Sequence, residues 1–247
     1  MIAAFFAGAV NSVAGGGTLI SFPALLALGL PSIAANATST VAIWPGTIGS
    51  MWGFRREVAT SSPRHRWLAL PCLMGSVIGA LLLRCTPVAL FNRLVPFLIL
   101  FATALFTAQA PANKRLQRAS HGGGAHRTAR TVGAWLGLFG VGIYGGYFGA
   151  GMSIMLLTAL AVMGLEDILT MSALTSLYSF FVNGVASGIF IGLHMVVWPY
   201  VLGMMATALV GGYAAAGVAR RVGRVMVRRF VIAVGFTITI VLFFKMF

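Results

Sequence analysis

Two glycine clusters with hydroxyl neighbours are the residues of this chain best placed to do chemistry. The first is Gly15-Gly16-Gly17-Thr18, and the second is Gly149-Ala150-Gly151-Met152-Ser153, preceded by Gly145-Gly146-Tyr147. Each interrupts an apolar stretch long enough to span a bilayer, 2–28 and 132–163. A helix that restarts after such a break exposes unpaired N–H groups and the positive end of its dipole. Glycine also lets a ligand approach the backbone closely. The clusters therefore predict two facing anion nests, with Thr18 and Ser153 as N-cap or ligand hydroxyls. The plainer role for the same glycines is close helix packing.

A second constellation is Asn36-Ala37-Thr38-Ser39-Thr40, with a counterpart at Met171-Ser172-Ala173-Leu174-Thr175-Ser176. Polar side chains in an apolar helix need partners. Their plain role is bonding between helices, or back to the carbonyl one turn earlier; their specific role is lining a substrate site. Asn36, Thr38, Ser39, Thr40, Ser172 and Thr175 are candidate ligands on this reading. Asn11, Tyr144, Tyr147, Tyr178 and Asn183 are weaker candidates. Trp52, Trp67, Trp135 and Trp198 read as interfacial anchors.

The elements that must position these residues are membrane helices. A hydrophobic fraction of 59% with only 8% charged residues separates the chain from soluble domains. The net charge of +14 lies in short connections between apolar runs, which is the positive-inside pattern and not a nucleic-acid surface. The bilayer is the expected partner. The first apolar run has no Lys or Arg before it and resumes after the glycines, so it reads as a span and not as a cleaved signal. Cys72 and Cys85 fall on one predicted helix, roughly 20 Å apart at about 1.5 Å per residue, too far for a disulfide.

The fold class expected is an all-α polytopic membrane protein of two homologous halves, with about eight hydrophobic segments. Residues 1–109 form the first transmembrane repeat, 110–130 a flexible basic cytoplasmic linker, and 131–247 the second repeat. A shift of about 135 positions superposes Gly16 on Gly151, Thr18 on Ser153, Gly29-Leu30 on Gly164-Leu165, Thr40 on Thr175 and Gly49 on Gly184. Each half is expected to hold one broken pair of half-helices and three spans. The basic segments 55–66, 114–130 and 220–229 all belong on the cytoplasmic side. The second half leaves from that side and returns to it over two full spans. Its broken segment must then enter and leave on one side, which makes the halves inverted repeats. Eight simple spans in parallel repeats are the alternative.

No Asp, Glu, Lys or Arg falls clearly inside a span, so the usual intramembrane proton-relay groups are missing. For an anion the membrane potential alone then favours export, by about 2.3 kcal/mol per charge per 100 mV. Scattered His and Cys residues form no metal-ligand cluster, and no cofactor is expected. Ser153 and His194 leave an intramembrane serine hydrolase as a remote reading. A non-transporting receptor or assembly subunit is the other alternative.

The stretch Ala9-Val10-Asn11-Ser12-Val13-Ala14-Gly15-Gly16-Gly17-Thr18-Leu19-Ile20-Ser21-Phe22-Pro23-Ala24-Leu25 resembles the first signature of the TauE/SafE sulfite exporter family. Asn36-Ala37-Thr38-Ser39-Thr40 and Trp44-Pro45-Gly46 extend the likeness, and Gly142-Ile143-Tyr144-Gly145-Gly146-Tyr147-Phe148-Gly149-Ala150-Gly151 is similar to the second-half signature. The resemblance implies a multi-pass bacterial inner-membrane transporter of sulfite, sulfonates or related organic anions, often an exporter. The expected partner is a small anionic substrate, and a homo-oligomer is left open. The candidate substrate site, read from the residues themselves, comprises Asn11, Gly15, Gly16, Gly17, Thr18, Asn36, Thr38, Ser39, Thr40, Tyr147, Gly149, Gly151, Ser153, Ser172 and Thr175. Many family members carry Asn-Lys where this chain has Ser39-Thr40, so a positive ligand is missing here.

Overall fold

The computed structural model describes residues 2–14, 16–62, 65, 67–119, 127–163, 165, 167–222 and 224–246. Gly15, one of the expected site residues, lies outside them. All regular structure among the described residues is helical. The first half holds α1 (Ile2–Ala14), α2 (Thr18–Ala27), α3 (Ser32–Gly53), the short α4 (Arg55–Thr60), α5 (Ala69–Cys85) and α6 (Val88–Ala119). The second holds α7 (Arg127–Tyr147), α8 (Met152–Val162), α9 (Ile168–Gly192), α10 (Trp198–Val222) and α11 (Arg224–Met246).

Two segments, Val88–Thr107 and Leu169–Gly192, are long and apolar enough to cross a bilayer unaided; the remaining apolar helices are shorter. Among the described residues the two broken segments account for three of these, Ile2–Asn11, Thr18–Ala27 and Met152–Val162. α1 and α2, and likewise α7 and α8, are separate helices, and each is joined through its glycine cluster. Trp52, Trp67, Trp135 and Trp198 are exposed, as anchors would be. The basic stretch 110–130 is helical at both ends, because α6 runs on to Ala119 and α7 already begins at Arg127. Its Ala, Gln, Lys, Arg and Leu residues are good helix formers and extend the helix beyond the apolar part.

The helices pair in a pattern that repeats between the halves. α5 lies along α7 and α1 along α10; α9 packs on α5 as α3 packs on α10; α8 packs on α6 as α2 packs on α11. In the α5–α7 interface a methyl group at Gly142 would collide with the Cys72 carbonyl, and one at Gly75 with the Phe139 carbonyl. In the α1–α10 interface Gly8 faces the Ala208 carbonyl and Gly211 the Phe5 carbonyl in the same way. Backbones this close are the means by which membrane helices associate without a hydrophobic driving force.

Helix directions follow from three bonds. Thr38, early in α3, accepts from the Val197 amide just after α9 ends, at 3.1 Å. Tyr178, in the first half of α9, donates to the His65 carbonyl, in the connection beyond α4. α3 and α9 are therefore antiparallel. The Asn36 amide meets the Tyr147 carbonyl, which sets the end of α7 near the start of α3.

α9 starts on a true cap. The Asp167 carboxylate accepts from the Leu169 and Thr170 amides and from the Thr170 hydroxyl. The Thr170 hydroxyl, then these amides, hold the carboxyl below its usual range. Its contribution is thus present above the unfolded pKa of about 4 and is lost as pH falls through the lower folded value. Hydrogen exchange at Leu169 and Thr170, corrected for intrinsic rates, should accelerate only in acid.

The glycine contacts make a sharper prediction. Gly142→Ala should lower detergent-phase thermal stability by about 1–3 kcal/mol, because neither facing backbone can give way. Gly140→Ala, with open space around it, should be neutral or better by up to about 1 kcal/mol. Equal melting temperatures for the two variants would contradict this packing.

Candidate functional site

The polar run of α3 is tied to both broken segments. Asn36 donates from Nδ2 to the Tyr147 carbonyl at 2.9 Å, at the last residue of α7. Ser39 Oγ lies 2.6 Å from Ser21 Oγ on α2, and the Ser21 hydroxyl reaches the Gly17 carbonyl at 3.2 Å in the first break. Thr38 is occupied with the Val197 amide, and Thr40 bonds back to the Asn36 carbonyl at 3.0 Å. All four α3 residues are buried. Asn36 Oδ1 has no partner.

The breaks themselves lie side by side. A Cβ on Gly16 would run into the Phe106 ring, and one on Gly151 would sit 3.6 Å from Ala102. Ala102 and Phe106 are one turn apart on α6, so both breaks dock on one face of that helix. Phe22 of α2 packs edge-on against Phe148 in the second break, with ring centroids 5.4 Å apart. Each break also folds back on its own first helix. Gly17 lies against Ala7 and Asn11 of α1, and the Met152 side chain lies over Gly145 of α7. The Tyr144 hydroxyl donates to the Ala150 carbonyl at 2.6 Å and so ties down the second break. Gly149 and Gly151 have φ of 75° and 77°, the left-handed region that favours glycine.

Two expectations need correction. Thr18 and Ser153 are not N-caps: Gly17 and Gly151 occupy those positions, and no side chain caps either helix. Both hydroxyls fall one or two residues inside their helices, beyond the cap position from which an oxygen reaches back to the first amides. The anion nests are also more closed than the glycines alone imply. The Leu19, Ile20 and Ser21 amides already bond to the Gly16 and Gly17 carbonyls, and Met152 and Ile154 to those of Gly149 and Gly151. Tyr147 joins the cluster through its backbone carbonyl. Its ring turns away to Phe91, and its hydroxyl is 3.3 Å from that of Thr86.

In the second half Thr175 is buried with a hydroxyl that has no partner, and Ser172 is half-buried. Ser153 is half-buried, whereas His194 sits in the exposed turn after α9 with φ of 53°. Sequence reasoning passed over Ser21, Ser179 and Ser187. Ser21 carried a signal, a hydroxyl one turn beyond the glycine break.

Residues 1–242 match the family described as Sulfite exporter TauE/SafE. The chain belongs to this family. A "Probable membrane transporter protein" of Haemophilus influenzae (strain ATCC 51907 / DSM 11121 / KW20 / Rd) is 29% identical over 238 residues, covering 95% of this chain and 89% of that protein. "Probable membrane transporter protein ORF9" of Sinorhizobium sp is 27% identical over 197 residues, or 80% of this chain and 73% of that protein. "Probable membrane transporter protein YfcA" of Escherichia coli (strain K12) is 33% identical over 98 residues, 39% of this chain and 36% of that protein. No solved structure matches the chain. Family and fold together make this TauE/SafE chain a multi-pass membrane protein of a transporter family.

The Tyr144 bond gives a local test on this TauE/SafE fold. Tyr144→Phe leaves the Ala150 carbonyl without that donor and should cost about 1–3 kcal/mol. Backbone exchange should rise first at 148–151. Unchanged protection there would mean the bond does not hold the break.

Proposed function

We propose that this protein exports small sulfur-containing anions (sulfite, sulfonates or related organic anions) across the bacterial inner membrane, through a site between its two glycine-broken helices. The observation that carries the reading is the meeting of both breaks on one face of α6, with α3 bonded to each. Broken helices at the interface of two repeats are where transporters of this general plan hold their cargo. The substrate class comes from the family description, Sulfite exporter TauE/SafE.

The two halves act as inverted repeats in this reading. Antiparallel α3 and α9, the repeated helix pairings and the folding back of each break support that arrangement. Each broken pair is then re-entrant, one from each face of the membrane. The basic segments 55–66, 114–130 and 220–229 share the cytoplasmic face. The proposed site comprises Asn11, the Gly15-Gly16-Gly17-Thr18 break, the α3 run from Asn36 to Thr40, Tyr147, Gly149, Gly151, Ser153, Ser172 and Thr175, and we add Ser21 because its hydroxyl meets that of Ser39. Its ligands are neutral, since no charged residue is buried among the described residues. A neutral site holds an anion weakly, which suits release, and the membrane potential supplies the outward drive. Export here is uniport.

The test is efflux of sulfite and of a short sulfonate from proteoliposomes, with and without an imposed potential. Wild type should show efflux that rises with an inside-negative potential. Gly16→Val drives a side chain into Phe106, and Gly151→Val forces a left-handed position. Both should abolish flux, while Gly140→Ala should retain it. Folded wild-type protein that moves neither anion would sink the substrate assignment.

A further inference from the structure

Many of the described hydroxyl residues in the helices of this protein donate to the carbonyl one turn back. Thr40, Thr103, Thr158, Thr207 and Thr239 do so at 2.7–3.0 Å, and this is the usual local solution in an apolar helix. Ser76 instead crosses to the Val182 carbonyl of α9 at 2.8 Å. Against that background three buried hydroxyls have no partner: Thr175, Ser179 and Ser187, exposed by 6%, 7% and 0%. All three are on α9. They follow the four-residue spacing 175, 179, 183, 187, one inclined ridge of the helix. The ridge is about 18 Å long at 1.5 Å per residue, more than half the hydrocarbon thickness of roughly 30 Å.

The fourth position of the ridge is Asn183. Its Nδ2 bonds back to the Ser179 carbonyl at 2.9 Å, and its Oδ1 lies 3.9 Å from the point a Cβ on Gly149 would occupy. The ridge therefore passes beside the second break. Three unpaired hydroxyls in one row are costly in a low-dielectric interior, where a lost bond is not replaced by water. Each retains a rotatable O–H with no acceptor. Such donors suit an oxyanion, whose oxygens can be handed from one to the next without any single site holding it tightly.

We infer that the Thr175–Ser179–Ser187 ridge of α9 lines the path by which a sulfur oxyanion moves past the second break, each hydroxyl donating to an anion oxygen in turn. The inference rests on the export reading but adds a lining that neither the glycine breaks nor α3 supply.

Two measurements test it. In efflux, Thr175→Val, Ser179→Ala and Ser187→Ala should each slow flux about tenfold, the loss expected for one hydrogen bond to a charged group. Their melting temperatures should hold or rise, since each change removes an unpaired buried hydroxyl. Thr158→Val, whose hydroxyl is already bonded, should transport normally. In labelling, a Cys72→Ala/Cys85→Ser background carries Ser179→Cys, Ser187→Cys or Leu174→Cys, the last as buried as Ser187 but turned round the helix. A sulfonate-bearing methanethiosulfonate should react faster at 179 and 187 than at 174. Wild-type flux in all three ridge variants would overturn the inference, as would flux and stability falling together. Equal labelling at 174, 179 and 187 would also overturn it. The labelling result stands even if no sulfur anion is carried, so the export reading and the ridge fail separately.

Discussion

A helix broken at membrane depth must have its freed backbone groups enclosed by protein, because the hydrocarbon offers no hydrogen bonds. Everything else in this fold depends on that enclosure. It is made by glycine-to-carbonyl contact, Gly142 and Gly75 between α7 and α5 and Gly8 and Gly211 between α1 and α10. In both interfaces the first helix of a broken pair lies in a groove of the other half of the chain. Neither half can therefore seat its own break. α6 completes the arrangement by presenting Ala102 and Phe106 to the two breaks at once.

The repeated plan carries unequal chemistry. Ser21 and Ser39, which join across α2 and α3, correspond under the 135-residue shift to Leu156 and Leu174, both in the apolar core around α8 and α9. One break is backed by a hydroxyl chain and the other by leucines. The second break is held instead by Tyr144 and by glycines with positive φ. Phe22 against Phe148 then couples the two differently built segments directly. The helix pairings repeat while the residues behind the two breaks differ.

Much of this was legible in the letters. Glycine clusters inside apolar stretches announced the breaks, where Gly16 is constrained by the Phe106 ring and Gly151 by its positive φ. The polar run Asn36–Thr40 stood out because polar residues are rare in such helices. The rest was tertiary. Which carbonyl Asn36 would meet, and that Ser21 and not Thr18 would carry the hydroxyl contact, depends on how α2 turns against α3. The capping role assigned to Thr18 and Ser153 failed because glycine itself took the cap position in both places. The helical ends of 110–130 were hidden because a basic, glycine-containing stretch reads as linker until the helices on either side are seen to run into it.

The absence of charged side chains from the buried residues of α3 and α9 ties these features together. A buried lysine or arginine opposite the breaks would bind an anion strongly and would itself need pairing when the site empties. Hydroxyls and amides need far less compensation when empty, and several can share the load. Such a site gives up affinity, and with it the tight selectivity a charged clamp provides. It gains easy release on the far side. That balance fits a protein whose buried polar groups are spread over two breaks, α3 and α9, with Asn36, Thr175, Ser179 and Ser187 each keeping one polar atom unpaired. Unpaired groups are normally selected out of a membrane core because they cost stability. On the export reading proposed above, the four along helices that border the breaks are groups satisfied in turn by the passing anion.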